Sequence, residues 1–378
     1  MIEPWRRQPV HVLYGGAHLF KSSTCNKLAE LARKSLAEHA PDAATLAAAL
    51  GLAPEIAGAV YTRVAEKLAR EAVEDFRVDF EDGFGPRSDA EEDTAAVSAA
   101  REMTSATLPT FFGIRVKAIT PELGDRALRT LRLFLDNCGP LPNNFVVTLP
   151  KISSVEQVAA LTRALAGRPE IGIEIMVETP QAIFILPQLV QAAEGRCVAA
   201  HFGAYDYTSS LGISQQDLSH PACDFARQMM LTTLAPTGVW LSDGATNVLP
   251  LSKDRAVVHA AWKLHYGHIR RALYNGFYQG WDLHPAQLPA RYAAVYAFFL
   301  EGMSAASERL RNFVSMAAQA THVRGVFDDA ATGQGLLNYF LRALNCGAIS
   351  ESEAPALTGL SAEELRSGSF LKIVQGRT

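Results

Sequence analysis

The chain has 378 residues, 48% of them hydrophobic, and a formal net charge of −4 at pH 7. This is enough for a large buried core, in one α/β barrel or in two or three smaller domains. Without a basic stripe we expect no nucleic-acid partner. The absence of an eighteen-residue apolar run predicts no membrane span. The start "MIEPWRRQPVHVLYGG" lacks the apolar run of a signal peptide, and the five cysteines form no CxxC pair. These features predict a cytoplasmic protein with reduced thiols.

Short apolar runs alternate along the chain with amphipathic stretches of helical character. We predict eight strands, at 10–14, 76–80, 111–116, 145–149, 171–177, 197–202, 237–241 and 281–283. Helical stretches lie between them, among them 27–38, 125–135, 155–165, 182–193 and 253–274. This alternation predicts parallel βαβ units, because parallel strands need helical crossovers.

Polar residues at the strand ends give a second signal. Successive members of this set are 27 to 41 residues apart, about the length of one β/α unit: Glu81, Arg115, Lys151, Glu178, Asp206, Asp243 and His284. Eight such units predict a (β/α)8 TIM barrel. A doubly wound sheet is the alternative, although "YGGAHLFK" after the first strand lacks the GxGxxG glycine fingerprint.

The first repeat is too long for one unit, and the chain continues well beyond the eighth strand. We predict a barrel domain over 1–300, with a helical insertion at about 41–74. A helical C-terminal extension would occupy 301–378, packed on the barrel or on a neighbouring subunit. The apolar content of this extension and of the 259–271 helix favours a homo-oligomer.

Two carboxylates follow neighbouring predicted strands, Glu178 in "IEIMVETPQ" and Asp206 in "HFGAYDYTSS". Adjacent strands are about 5 Å apart, so these carboxylates should converge at the mouth of a barrel. Two protein oxygens, completed by waters and substrate, are a common way to hold Mg²⁺. The alternative is that each carboxylate caps the helix after it.

Arg115 ends the third predicted strand, with Lys117 two residues later on the same face. An arginine in that position must be paired or bind a ligand, and its planar fork suits a carboxylate or a developing oxyanion. The alternative is a structural ion pair with Glu81 or Asp82, and the two roles are compatible.

Other polar residues have weaker functional signals. Lys151 follows the fourth strand, where a plain β-to-α turn would explain it equally well. His284 could instead lock the corner after the last strand. His265 and His268 are helical i,i+3 neighbours, which we interpret as surface or interface residues. The sequence has no GxSxG, P-loop or HExxH motif.

Six segments match one family in order. They are "VDFEDGFGPR", "FGIRVKA", "TLPKISSVEQV", "IEIMVETPQAIF", "HFGAYDYTSSLG" and "WDLHPAQL", within roughly 10–299. Together they resemble the citrate lyase β-subunit-like proteins, in the HpcH/HpaI aldolase and malyl-CoA lyase group of the pyruvate/phosphoenolpyruvate-type barrels. The corresponding family patterns read DLEDAV, RVN, LPKVES, IET, GAEDY and IHP.

The resemblance implies a set of roles. Glu178 and Asp206 would bind Mg²⁺, or alternatively Mn²⁺, and Arg115 would bind a substrate carbonyl or carboxylate. Glu81 and Asp82 would orient Arg115 and metal-bound waters at the catalytic centre. The remaining substrate contacts would come from Lys117, Lys151, Gly203, Ala204 and His284. Relatives also imply assembly as a trimer or hexamer.

Some positions depart from the family pattern. The first loop, "GGAHLF" at 15–20, has His18 and Leu19 where relatives carry an acid or amide and an arginine. That loop commonly helps to bind coenzyme A phosphates, so use of a CoA thioester stays open. Tyr205 replaces the glutamate of GAEDY, and Lys117 replaces the asparagine of RVN. These differences indicate an outlying branch.

The expected function is that of a Mg²⁺-dependent carbon–carbon lyase or aldolase. Its substrate would be a 2-oxo or 3-hydroxy acid, or the CoA thioester, reacting through a stabilised enolate. His18, Asp82 and a metal-bound water are candidates for the general base. The alternatives are an acyl-CoA thioesterase on the same barrel and a non-catalytic subunit or binding protein.

Overall fold

The computed structural model describes residues 6–320 and 330–377. Eight parallel strands close into a barrel in the order β1 to β8, so the predicted TIM barrel is confirmed. The strands are β1 (His11–Gly16), β2 (Asp75–Asp79), β3 (Phe111–Arg115), β4 (Phe145–Leu149), β5 (Gly172–Val177), β6 (Cys197–Phe202), β7 (Trp240–Asp243) and β8 (Gln279–Asp282).

Helices surround the barrel and form the C-terminal part of the chain. Those up to β6 are α1 (Thr24–His39), α2 (Ala43–Leu50), α3 (Pro54–Glu71), α4 (Asp89–Ser105), α5 (Gly124–Asn137), α6 (Val155–Ala164), α7 (Pro180–Phe184) and α8 (Leu186–Ala192). After β6 come α9 (Ala204–Ser210), α10 (Pro221–Leu234), α11 (Arg255–Tyr274), α12 (Leu288–Ala320), α13 (Ala330–Cys346), α14 (Ala354–Thr358), α15 (Ala362–Arg366) and α16 (Phe370–Gly376).

The seventh strand begins three residues later than the sequence pattern predicts. Thr237 ends a short 3-10 helix, and Gly238 follows it with φ +78°. This left-handed backbone suits glycine and separates the helical turn from the strand. β7 therefore starts at Trp240 and extends to Asp243, which carries the strand-end carboxylate.

Part of the barrel interior is lined by polar rather than aliphatic side chains. Arg77 is hydrogen-bonded to Asp75 and donates to Thr148 Oγ1 at 3.2 Å. Glu174 accepts hydrogen bonds from Thr148 Oγ1 at 2.7 Å and from the Tyr14 hydroxyl at 3.1 Å. Burial raises the pKa of Asp75 to about 6. Because buried charges persist only when paired, this cluster stabilises the interior through its mutual contacts.

The region of the predicted insertion forms α2 and α3, and α3 packs against α12. The Tyr292 hydroxyl on α12 donates to the Ala72 carbonyl just after α3 at 2.9 Å. Arg63 on α3 donates to the Ala348 carbonyl after α13 at 2.8 Å. Since α12 passes without interruption through residue 300, the last helix beside the barrel and the first helix of the C-terminal part are one element.

Among residues 6–320 and 330–377, no single helix has the length and apolar character needed to cross a membrane. The bent pair of Ala43–Leu50 and Pro54–Glu71 meets those criteria together, across a 112° bend.

Assembly provides a first testable prediction. The buried face of the C-terminal helices packs within the same chain, whereas α11 exposes Val257, Leu264 and Tyr274 by 51%, 41% and 84%. We expect a homo-oligomer, a trimer or hexamer as in the family that the sequence resembles. Light scattering at micromolar concentration should give three or six times the 40.9 kDa chain mass. The mass of a single chain would contradict this expectation.

Candidate functional site

The carboxyl ends of β2 to β5 bring five predicted site residues into one mouth. Lys151, after β4, lies 2.5 Å from Glu81 Oε1 and 3.0 Å from Asp82 Oδ1 in the β2–α4 loop. Its backbone N–H donates to Glu178 Oε1 after β5 at 2.5 Å. Arg115 at the end of β3 lies 3.3 Å from Glu81 Oε2. Residues far apart in sequence thus form one cluster of opposite charges.

Arg115 is enclosed by anions and aromatic rings. Its Nε and Nη2 donate to the two oxygens of Asp79 at 2.8 and 2.6 Å. Its guanidinium carbon lies 5.0 and 5.5 Å from the ring centroids of Tyr14 and Trp281. Burial by itself would lower the pKa of Arg115, but the neighbouring Asp79 and Glu81 carboxylates raise it above its usual value. Arg115 therefore stays charged although only 1% of it is exposed.

The principal partner of Arg115 is Asp79, which sequence analysis did not assign to the site. Asp79 and Arg115 are opposite each other in the β2–β3 register. Nη1 of Arg115 is turned toward Glu81 Oε2 and Asp82 Oδ2, at 3.3 and 3.6 Å. The arginine thus has one tight structural pair and one nitrogen that faces the mouth.

Lys151 has an uncommon backbone, with φ at +51°. A non-glycine residue in this region costs about 1–3 kcal/mol and persists when its surroundings stabilise it. Here the side chain contacts two carboxylates while the N–H contacts a third. Burial raises the pKa of Glu81. Burial would also raise the pKa of Asp82, but the hydrogen bond with Glu81 and the charge of Arg115 outweigh it and lower that pKa below its usual value. The strained turn thus links β2, β4 and β5 at the mouth.

Glu178 is 2% exposed and lies close to Asp206 and Gly203. Burial and the Asp206 charge raise the pKa of Glu178 to about 8. A Cβ at position 203 would lie 2.3 Å from Glu178 Oε2, so only glycine fits there. Ala204 then begins α9, whose first turn carries Asp206. This turn brings the second carboxylate toward the first.

Two neighbouring carboxylates suit a divalent cation, which would relieve the repulsion that raises the pKa of Glu178. Among the described residues, no three or more His, Cys, Asp and Glu side chains form a group able to hold a metal ion. Glu178 and Asp206 could therefore supply two ligands, and water and substrate would have to supply the others.

Two predicted substrate-binding residues have other contacts. Lys117 donates to the Phe80 carbonyl at 3.0 Å and lies 3.5 Å from Glu92, a residue of α4. His284 accepts from the Ala286 N–H at 3.1 Å and caps the short helix Pro285–Gln287. These contacts give both side chains a structural role. For His284 this is the alternative in which the histidine locks the corner after the last strand.

His18 lies on the exposed 3-10 helix after β1, with its ring 5.5 Å from that of Phe84. Burial and the nearby Arg87 lower the pKa of His18. A Cβ at Gly16 would lie 2.2 Å from the Gly83 carbonyl oxygen, so the first loop packs closely against the β2–α4 loop. This contact places His18 at the edge of the mouth, beside the β2–α4 loop that carries Glu81 and Asp82.

The interpretation of His265 as a surface residue is wrong. It is 1% exposed, with Nε2 2.7 Å from Asp282 Oδ1 and Nδ1 2.9 Å from Thr246 Oγ1. An ionised carboxylate only accepts hydrogen bonds, so Nε2 carries the proton of a neutral His265 and Thr246 donates to Nδ1. Thr246 then accepts from His268 Nδ1 at 2.9 Å. This chain joins α11 to β8.

Sequence analysis also missed Tyr14, Trp281 and Met176, which surround Arg115. Met176 Sδ is 3.7 Å from Arg115 Nη1. Two-residue alternation could have placed Met176 on the same face as Glu178, as it placed Asp79 on the same face as Glu81. The contacts of Tyr14 and Trp281 depend on closure of the barrel between β1 and β8.

Solved structures share this architecture. A citrate lyase from Burkholderia xenovorans matches with a TM-score of 0.59 and 20% identity, over 94% of this chain and 99% of that one. Malate synthase from Haloferax volcanii, in a magnesium/glyoxylate complex, matches with a TM-score of 0.50 and 11% identity, over 97% of each chain. At these identities the likeness shows the fold alone.

No curated protein matches the sequence. A family profile, in contrast, matches residues 3–373, which is nearly the whole chain. The chain therefore belongs to the DUF6986 family, described as a domain of unknown function.

Proposed function

We propose that this protein is a Mg²⁺-dependent carbon–carbon lyase or aldolase acting on a 2-oxo or 3-hydroxy acid through an enolate. The observation that carries the proposal is that Asp206 and Arg115 both lie close enough to the buried Glu178 carboxyl at the barrel mouth to shift its pKa. The buried Glu178 with the half-buried Asp206 suits a divalent cation, and a fixed guanidinium suits a developing negative oxygen. The ordered motifs shared with the citrate lyase β-subunit-like group support the same chemistry.

Each group has a distinct part in the proposed reaction. Bound Mg²⁺ would supply charge stabilisation for an enolate oxygen. Glu178 and Asp206 would hold the ion, and Glu178 must lose its proton to do so. Arg115 Nη1 would donate a hydrogen bond to the reacting oxygen from a position fixed by Asp79. Lys151 would balance the charges of Glu81 and Asp82.

Proton transfer requires an acid–base group near the substrate. Asp82 is suited to it because its side chain is 54% exposed while Oδ1 contacts Lys151. His18 at the edge of the mouth and a metal-bound water are the other candidates. Comparing the pH–rate profiles of Asp82→Asn and His18→Gln would separate these candidates. Substitution of the residue that transfers the proton removes the limb of the profile that reports its pKa, and substitution of the other residue leaves that limb unchanged.

The proposed substrate is a small acid, either free or as its CoA thioester. The Haloferax volcanii malate synthase that shares the fold was solved with glyoxylate and magnesium, which makes 2-oxo acids the first compounds to test. The first loop carries His18 and Leu19, and Leu19 is 69% exposed. Because this loop lacks the family arginine, free acids should be tested together with thioesters.

Product analysis tests the proposal directly. The purified protein with Mg²⁺ would be incubated with oxaloacetate, malyl-CoA and citramalyl-CoA. Acetyl-CoA plus an oxo acid means carbon–carbon cleavage of a thioester, whereas free acid plus CoA means the thioesterase alternative. Turnover of none of these and no binding of Mg²⁺ would favour a non-catalytic subunit or binding protein. Glu178→Gln serves as the inactive control.

Metal binding gives a prediction that does not depend on the substrate. Asp206→Asn should weaken Mg²⁺ binding by about tenfold or more, the scale found when a ligand or its support is lost. Isothermal calorimetry measures it. Asp136→Asn on the exposed side of α5 is the control and should bind as the wild type does. Unchanged affinity in Asp206→Asn would rule out this residue as a ligand.

A further inference from the structure

Asp79 is a buried carboxylate with an unusually complete set of hydrogen bonds. Oδ1 accepts from Arg115 Nε at 2.8 Å and from the Glu81 N–H at 2.9 Å. Oδ2 accepts from Arg115 Nη2 at 2.6 Å and from the Gly83 N–H at 2.7 Å. Two donors belong to the arginine of β3 and two to the backbone of the β2–α4 loop. One side chain therefore joins these two parts of the mouth.

The backbone around Gly83 fits this carboxylate closely. A Cβ at position 83 would lie 2.6 Å from Asp79 Oδ2, so a side chain there would displace the carboxylate. On its other side, the Gly83 carbonyl lies against Gly16 of β1. The segment that carries Glu81 and Asp82 is thus held between β1 and Asp79, and its position depends on the Asp79 contacts.

The same contacts decide how Arg115 faces a ligand. The two-pronged side formed by Nε and Nη2 is occupied by Asp79, while Nη1 points toward Glu81 and Asp82. Tyr14 and Trp281 pack against the guanidinium. A ligand oxygen therefore meets Arg115 from the Nη1 side.

We propose that Asp79 is the positioning residue of the site: it holds Arg115 and the Glu81–Asp82 segment as one unit, with Nη1 of Arg115 directed to the ligand. Asp79 acts through these groups and does not itself touch substrate. The coupling follows from the contacts, and its consequence for catalysis rests on the proposed function.

Asp79→Asn tests the coupling without any ligand. Asparagine keeps the size of the side chain but replaces one acceptor oxygen with a donor, which would face N–H groups of Arg115 or of the loop. Hydrogen exchange followed by mass spectrometry should show backbone amides in segment 80–85 exchanging about tenfold faster or more than in the wild type. The measurement is made well below the melting temperature of each variant.

Asp243→Asn is the matched control. Asp243 ends β7, is 3% exposed, and accepts from Arg227 Nε and the Gly244 N–H, both at 2.8 Å. Its arginine comes from α10 rather than from the mouth. Both variants should melt earlier, but segment 80–85 should exchange faster only in Asp79→Asn. Wild-type exchange in that variant, or an equal increase in both variants, would overturn the proposal.

Ligand binding tests the consequence for the site. Oxalate, a planar dianion shaped like the enolate of pyruvate, would be titrated into each protein with Mg²⁺. We expect Asp79→Asn to lose about tenfold or more in oxalate affinity while its Mg²⁺ affinity stays within about threefold, because Glu178 and Asp206 are unchanged. Wild-type oxalate affinity in Asp79→Asn would contradict the role in ligand binding. A wild type that binds neither probe contradicts the proposed function instead, and hydrogen exchange still decides the coupling.

Discussion

Arg115→Lys is expected to lower turnover by about 100- to 1,000-fold, the loss found when a preorganised donor to a developing oxyanion is removed. Lysine keeps the positive charge but cannot make the two parallel hydrogen bonds to Asp79, which are 2.8 and 2.6 Å long. Lysine has only one side-chain nitrogen, so if that nitrogen binds Asp79 none remains to face Glu81 and Asp82 as Nη1 of Arg115 does. The measurement is turnover per folded molecule, on any substrate that the wild type accepts.

Arg227→Lys is the matched control for this experiment. Arg227 is also a buried arginine paired with a strand-end aspartate, through Nε and Asp243 Oδ1 at 2.8 Å. Both lysine variants should melt at lower temperature, since each disturbs a buried ion pair. Only Arg115→Lys should lose most of its activity. If it melts earlier but keeps near-normal turnover, Arg115 is a scaffold residue.

The second large effect concerns Glu178 and pH. Burial and Asp206 raise the pKa of Glu178 from an ordinary value of 4.5 to about 8. Between these values the folded protein keeps a proton that the unfolded chain has released, so stability falls as pH rises. Above about pH 8 both states are ionised and the loss is complete. Glutamine cannot ionise, so Glu178→Gln does not lose this stability as pH rises. The melting temperature of Glu178→Gln should therefore equal that of the wild type at pH 4.5 and exceed it most above pH 8.

Magnesium reverses this advantage if Glu178 binds the ion. Mg²⁺ favours the ionised carboxylate, so it should raise the melting temperature of the wild type, most strongly above pH 8. It should have little effect on Glu178→Gln. The melts would be measured with chelator and with excess Mg²⁺ at each pH. An equal shift by Mg²⁺ in both proteins would mean that the ion binds elsewhere.

Arg115 and Glu178 differ in how the mouth controls their charge. Arg115 is a permanent cation that its anionic neighbours hold in place, whereas Glu178 is a carboxyl that burial and a second carboxylate keep protonated. Lys151 connects their surroundings, because its side chain contacts Glu81, a partner of Arg115, and its backbone N–H donates to Glu178. A change at Glu178 is therefore expected to reach the β2–α4 loop through this strained residue.

Local patterns in the sequence were sufficient to predict the barrel. Eight apolar runs separated by helical stretches require parallel strands with crossovers, and this signal is repeated along the chain. The strand-end spacing also predicted that Glu81, Arg115, Lys151 and Glu178 would meet at one mouth. Each of these residues ends its strand or follows it within two residues, so closure of the barrel brings them together whatever the details of packing.

Pairings between side chains were decided only by tertiary structure. Asp79 rather than Glu81 or Asp82 became the main partner of Arg115, because β2–β3 register places the two opposite each other. Lys117 contacts the Phe80 carbonyl, and His265 is buried against Asp282, through contacts between elements distant in sequence. Sequence periodicity determines which face of a strand or helix a residue occupies. Which atoms then come within 3 Å depends on register, barrel closure and the competition among neighbouring charges, and those exist only in the folded chain.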